Sequence, residues 1–163
     1  MKKKHVKILA KQCNLTDTVQ KYFEYEPEKV IENENYMICW DRTLLTHRTL
    51  QHNRPDITLV NKGKEEVKLI DIAVVNTSNV QKTINEKHAK YVELVEAVRE
   101  QWNMTAVRVV PVVMSATEIV PIKTVSGIRE LVKEERDQRY VIQEGQKAAI
   151  LATTSMVRKI LAE

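Results

Sequence analysis

Apolar positions along the chain change period several times, and each period predicts an element. Val6, Leu9, Ala10 and Cys13 fall at helical intervals, so residues 1–20 read as an amphipathic helix, open to interruption from Asn14 to Asp17. Tyr22, Phe23 and Tyr25 form a short aromatic cluster. The acidic stretch from Glu24 to Glu34, with Pro27 inside it, reads as a connection. Tyr36 to Trp40 is a compact apolar run and predicts a first strand. Thr43 to Arg54 is polar and predicts a loop or an irregular strand. Ile57 to Val60 predicts a second strand and Val67 to Val75 a third. The turn between them holds Gly63, which is free to take positive φ, so the pair predicts a hairpin.

Val80, Ile84, His88, Tyr91, Val95, Val98 and Trp102 then recur at intervals of three and four. They predict one helix over about 79–101, with His88 on its apolar stripe. Val107 to Met114 is continuously apolar, as a buried strand of a mixed or parallel sheet would be; Pro111 within it predicts a bulge or an edge position. Ser126 is placed to cap a helix running to about Arg139, and Ile150, Val157, Ile160 and Leu161 predict a last helix over about 143–161. The whole predicts one α/β domain over 1–163, with a core over about 30–115 holding a mixed four-stranded sheet flanked by helices. Two extra C-terminal helices follow over about 122–161.

Composition narrows the partners. The 163 residues carry 26 Lys and Arg against 22 Asp and Glu, a net charge of +4 that permits a polyanionic partner. Three glycines leave little material for a Gly-rich phosphate loop. Cys13 and Cys39 cannot build a four-cysteine zinc site and read as reduced, buried thiols of an intracellular protein. No apolar run approaches the roughly 20 residues of a membrane span, so no membrane partner is expected.

Candidate chemistry centres on Asp56, which opens the second strand behind Arg54-Pro55, and on Asp71 in the third, between Ile70 and Ile72. Carboxylates on paired strands converge, and hard oxygens suit Mg²⁺ or Mn²⁺ carrying a substrate phosphate. A carboxylate inside an apolar strand is costly unless paired or metal-bound. The alternative is an Asp on an exposed hairpin face, held by a nearby Lys or Arg. His47 and His52, in a polar loop without a third ligand, have poor zinc spacing. Backbone contact with DNA by His52, Asn53 and Arg54 is weighed above zinc, and plain surface exposure above both. Trp40 and Trp102 read as core. Lysines at 2–4, at 62, 64 and 68, and at 82, 87 and 90, with Arg158-Lys159, could follow a phosphate backbone if folding brought them to one face.

Pro55-Asp56, then Asp71, then a lysine is the pattern of the PD-(D/E)-x-K nuclease superfamily. The lysine usually stands two residues after the second acid, where this chain has Ala73; some members supply it from the following helix, where Lys82, Lys87 and Lys90 stand. Lys87 and Lys90 share one side of that helix. A wider set of blocks resembles one family: Glu32 to Tyr36, Trp40 to Thr43, His52 to Ile57, Leu69 to Ala73, Lys87 to Tyr91, Trp102-Asn103, Val110 to Val113 and Val157 to Lys159. The family is the restriction-like endonuclease region at the C-terminus of non-LTR retrotransposon reverse transcriptase polyproteins, which is also similar in its core to archaeal Holliday junction resolvases.

The resemblance implies a restriction-endonuclease-like fold and a metal-dependent DNA endonuclease that nicks target phosphodiesters. It implies Asp56 and Asp71 as catalytic metal ligands with Mg²⁺ or Mn²⁺, an extra acid such as Glu34 (or its neighbour Glu32, or Asp41) as a further ligand, and Lys87 or Lys90 as the catalytic lysine. It implies DNA as substrate, a reverse transcriptase polyprotein as parent, a homodimer as a possible assembly, and an intracellular, nuclear location. The chain holds neither a reverse transcriptase segment nor a Cys/His knuckle, so it reads as an excised, domesticated or engineered piece. With Ala73 at the lysine position, the alternative is a catalytically inactive DNA-binding or dimerisation module that retains the fold.

Overall fold

The computed structural model describes residues 2–15, 28–115 and 120–162. Strands β1 (Val30–Glu32), β2 (Tyr36–Trp40), β3 (Ile57–Asn61), β4 (Glu66–Val75) and β5 (Ala106–Ser115) form one sheet in that order. The first four pair antiparallel, and β5 joins β4 in parallel. Helices α1 (Lys2–Gln12), α4 (Ile122–Leu131) and α5 (Glu135–Leu161) lie on one face, and α2 (Val80–Lys90) and α3 (Val92–Gln101) on the other. The expected mixed α/β sheet is present, with five strands among the described residues instead of four.

Alternation along β4 fixes the layers. Ile70, Ile72 and Val74 pack with Val6 and Leu9 of α1, Ile128 of α4 and Val141 of α5. Val67 and Leu69 pack the other way, against Tyr91, Leu94 and Val98. Asp71, odd-numbered like Val67 and Leu69, therefore faces α2 and α3. Ile70 is 1 % exposed. Ile70→Val, which removes one buried methylene, is expected to cost about 1 kcal/mol in urea unfolding; no measurable loss would mean that this face is loosely packed.

Several boundaries differ from the pattern reading. The first helix ends at Gln12, with Asn14 at a φ of 55° in the turn just beyond it; the rest of its expected span from residue 16, the aromatic cluster and the start of the acidic stretch, 24–27, lie outside the described residues. β1 falls within what reads as a connection. At the hairpin turn the positive φ belongs to Glu65, at 51°, not to Gly63. The long helix is two, meeting at Tyr91 (φ −106°, ψ 10°). Ser126 lies inside α4 rather than at a cap, and α5 begins at Glu135, because the backbone is extended at Val132 and Glu134. Pro111 sits in β5, an edge strand, where an absent N–H costs least. Gly145 lets α5 pass over β5: a Cβ there would lie 2.6 Å from Met114 Cε.

Cys13 and Cys39 are buried free thiols; burial pushes Cys13 up to about 11, against the opposing charges of Lys133 and Lys68, and raises Cys39 as well. Neither carries thiolate character at neutral pH. Among the described residues no helix is long and apolar enough to cross a membrane.

Candidate active site

β4 outruns β3. Their register ends at Ile57 opposite Ile70, while β4 continues to Val75 with β5 alone beside it. Pro55-Asp56 enters the notch this leaves. There the Asp56 side chain continues the ladder in place of backbone: Oδ2 accepts the Ile72 N–H at 2.7 Å. The other oxygen, Oδ1, meets Lys2 Nζ of α1 at 2.5 Å. Asp41, at the end of β2, donates its N–H to the Asp56 carbonyl at 2.8 Å, which ties the neighbouring strand to the same spot.

Asp71 lies directly beyond the last β3–β4 pair, beside Asp56, and is 4 % exposed. Lys87 Nζ stands 2.9 Å and Lys90 Nζ 3.6 Å from its Oδ2. That oxygen is buried and receives no well-directed hydrogen bond, so the contact with Lys87 is an ion pair without good hydrogen-bond geometry. Burial is the largest influence on the Asp71 carboxyl and raises it. The close contacts with Lys87 and Asp56, and the charges of Lys87 and Lys90, together outweigh burial and hold it below the usual carboxylate value.

Tyr91 closes the floor of the site. It is fully buried, and its hydroxyl donates to the Arg54 carbonyl at 3.3 Å. Burial, then the neighbouring Asp71 and Asp56, push that hydroxyl well above the ordinary tyrosine range, so it stays a neutral donor. Lys90 Nζ also lies 4.7 Å from the centre of the Tyr91 ring.

The structure thus brings Asp56, Asp71, Lys87 and Lys90 together. Glu34 does not join them. It is exposed in the β1–β2 turn, and Tyr36, just past that turn, pairs with Asn61, whereas the site is at the Trp40–Ile57 end of the same strands. Five strand residues at roughly 3.3 Å each hold it away. Glu32, at that far end, pairs with Lys62 at 2.9 Å. Asp41 is at the near end but is taken by Arg54 at 2.8 Å and Lys29 at 3.3 Å, which hold its carboxyl low. Arg54 is therefore paired, and His52 is exposed beside it. His88 is exposed rather than core, while Trp40 is buried and donates from its ring N–H to the Glu28 carbonyl.

Several of the basic groups are held in ion pairs. Lys68 turns to Glu130, Lys62 to Glu32 and Lys82 to Glu86, leaving Lys2, Lys87 and Lys90 as the cluster around the two acids. Lys2 is the member that the sequence reading did not single out.

Among the described residues no group of three or more His, Cys, Asp or Glu side chains is placed to hold a metal ion. Two adjacent carboxylates, one with a buried oxygen lacking a directed hydrogen bond, nevertheless fit a hard cation of the Mg²⁺ type, which is commonly held by one or two carboxylates, waters and substrate phosphate.

No family model and no curated protein matches the chain. Among solved structures it is similar to an N-terminal domain of a reptarenavirus L protein, with 13% identity and a TM-score of 0.34. The match covers 62% of this chain and 57% of that one, so the chain spans little more than half of that domain's length.

Proposed function

We propose that the chain is a restriction-like, metal-dependent DNA endonuclease domain of non-LTR retrotransposon origin, which nicks DNA phosphodiesters with Mg²⁺ or Mn²⁺. The observation that carries this reading is the buried Asp71, set beside Asp56 in a notch of the sheet with two lysines of one helix aimed at it. An isolated structural acid needs one partner, whereas two acids and several amines in one notch match the charges of a cation and a phosphodiester. Asp56 and Asp71 would hold the cation, which supplies positive charge against the phosphate and acidifies water. Lys87 and Lys90 offset negative charge developing on the phosphate, the task of the usual strand lysine. Ala73 shares the face of Asp71 and has no amine, so the charge comes from α2. Ile72 N–H fixes Asp56, and the Tyr91 floor keeps water from beneath Asp71. His52, Asn53 and Arg54, on the loop entering the notch, are proposed contacts for the DNA backbone.

The deciding experiment is nicking of supercoiled plasmid by the purified chain. Cleavage is expected with Mg²⁺ or Mn²⁺ and not with Ca²⁺ or EDTA, and activity that survives EDTA overturns the metal reading. DNA affinity should fall steeply with salt, log K dropping by about 0.9 per neutralised phosphate on a log-salt axis. A flat salt response contradicts backbone binding.

One observation favours a second reading. Lys2, Lys87 and Lys90 already neutralise both carboxylates, so the cluster is closed in charge without a cation. A silent DNA-binding module that kept the fold would look like this, and it would bind DNA with the same salt slope but never nick it.

A further inference from the structure

We propose that Lys2 is a built-in counter-ion of the carboxylate pair, which a divalent cation displaces and which then holds the substrate phosphate. The inference rests on the endonuclease reading above and names how that site couples its two ligands.

The geometry of Asp56 makes the case. Its Oδ2 is committed to the Ile72 N–H, a backbone group fixed in β4. The oxygen that can turn to a cation without breaking the ladder is Oδ1, and Lys2 holds it at 2.5 Å. A cation that uses Asp56 therefore competes with the Lys2 ammonium. Of the three lysines at the site, Lys2 is the easiest to release: its side chain is 42% exposed, against 21% for Lys87 and 34% for Lys90. It also comes from the opposite layer, since α1 lies under the sheet with α4 and α5 while α2 lies above it. The two carboxylates are thus gripped from both faces of the sheet, firmly from α2 and loosely from α1.

Release costs α1 little. The helix stays docked through Val6, Leu9 and Ala10, and Gln12 at its far end donates to the Leu131 carbonyl and accepts from the Lys133 N–H. Only the long Lys2 side chain needs to swing. Freed from Asp56, the half-exposed ammonium would stay within side-chain reach of the notch and be available to a phosphate brought there with the cation. Cation and phosphate should therefore bind cooperatively. The cation frees the amine for phosphate, and phosphate draws the amine away from the cation's ligand. Linkage makes the effect reciprocal.

The test is Mn²⁺ binding to the full chain, read from the free-ion EPR signal, with and without a short phosphorothioate duplex. In the parent the duplex should tighten Mn²⁺ about fivefold or more, the lower end of ordinary coupling. Lys2→Met should bind Mn²⁺ alone about fivefold more tightly than the parent, bind the duplex more weakly, and lose the enhancement. Lys2→Arg, which keeps the charge, should restore most of the coupling. Lys82→Met, on α2 but paired with Glu86, should behave as the parent and so control for net charge. If the parent binds Mn²⁺ in a manner lost in Asp71→Asn, and Lys2→Met matches the parent in every respect, the counter-ion role is wrong and the endonuclease reading stands. If the parent binds no Mn²⁺, with or without duplex, both fall.

Discussion

Asp71→Asn is expected to leave a folded protein that no longer cleaves DNA, with the nicking rate down by at least about 10³-fold, or roughly 4 kcal/mol of barrier. The amide keeps the size of the carboxyl and still offers an oxygen to Lys87, so the β4 backbone and the packing against Tyr91 have no reason to move. The full negative charge is lost, and with it most of the attraction for a divalent cation. Among the described residues no third carboxylate stands ready to replace the missing ligand. Duplex binding in EDTA should change little, since it depends on the amines and the surrounding backbone contacts. Urea unfolding, filter binding and plasmid nicking on one preparation separate these effects. Parent-like nicking by the Asn variant would remove Asp71 from the mechanism, and loss of folding would show that the charge is structural.

The double change Lys87→Met and Lys90→Met should strike stability and cleavage together. Removing both amines leaves a buried carboxylate whose remaining neighbour is another acid. Breaking a buried pair by deleting one partner typically costs 3–5 kcal/mol, and partial solvation of both lysines argues for the lower end, about 3 kcal/mol at neutral pH. The pH dependence gives this prediction its sign. In the parent, the Asp71 carboxyl is held below its unfolded value of 3.8, so it contributes stability above that value and loses it as pH falls through the lower folded value. In the double variant the lysine contributions vanish while burial remains, so the carboxyl rises above its unfolded value. Protonating it then relieves the variant. The stability deficit should be largest near pH 7 and shrink as pH falls through the acid range to below the unfolded value of 3.8, as measured by urea unfolding at a series of pH values. A deficit independent of pH would mean that the lysines act through their methylene stems alone. Nicking by the variant at the parent rate would end the case for a lysine supplied by α2.

What the sequence reveals of this site follows from what each residue type signals locally. Asp71 is legible because a carboxylate between isoleucines in an apolar strand contradicts its surroundings. Asp56 is legible from Pro-Asp at a strand start. Lys87 carries a signal that the eye passes over: the buried phase of the two helices is Val80, Ile84, Tyr91, Leu94 and Val98, and Lys87, not His88, continues it. A lysine on an inward stripe implies an acid opposite. Lys2 carries no such sign, since only the docking of α1 beneath the sheet brings it to Asp56.

Glu34 shows the converse difficulty. Nearness to a strand in sequence does not say which end of the sheet a residue occupies, and antiparallel pairing puts Glu34 at one end and Asp41 at the other. In the fold, strands built from long apolar runs are plain, β4 and β5 above all. β1 has only three residues, two of them apolar and Glu32 exposed, which is too short a run to signal a strand. The break between α4 and α5 is hidden because Val132 to Glu134 contains no glycine or proline to mark it.

The edges of this sheet bear on how the protein behaves when concentrated. An open edge strand offers unpaired backbone groups to any other chain, and a long, flat, apolar one seeds aggregation. Among the described residues one edge is β1, too short to template a foreign strand. The other is β5, ten residues rich in valine, which would be the hazard were it not for Pro111 at its middle. A strand docking along β5 would find its run of hydrogen bonds cut into two short halves. The proline opposite Asp71 thus makes so apolar a strand a poor template for another copy of the chain.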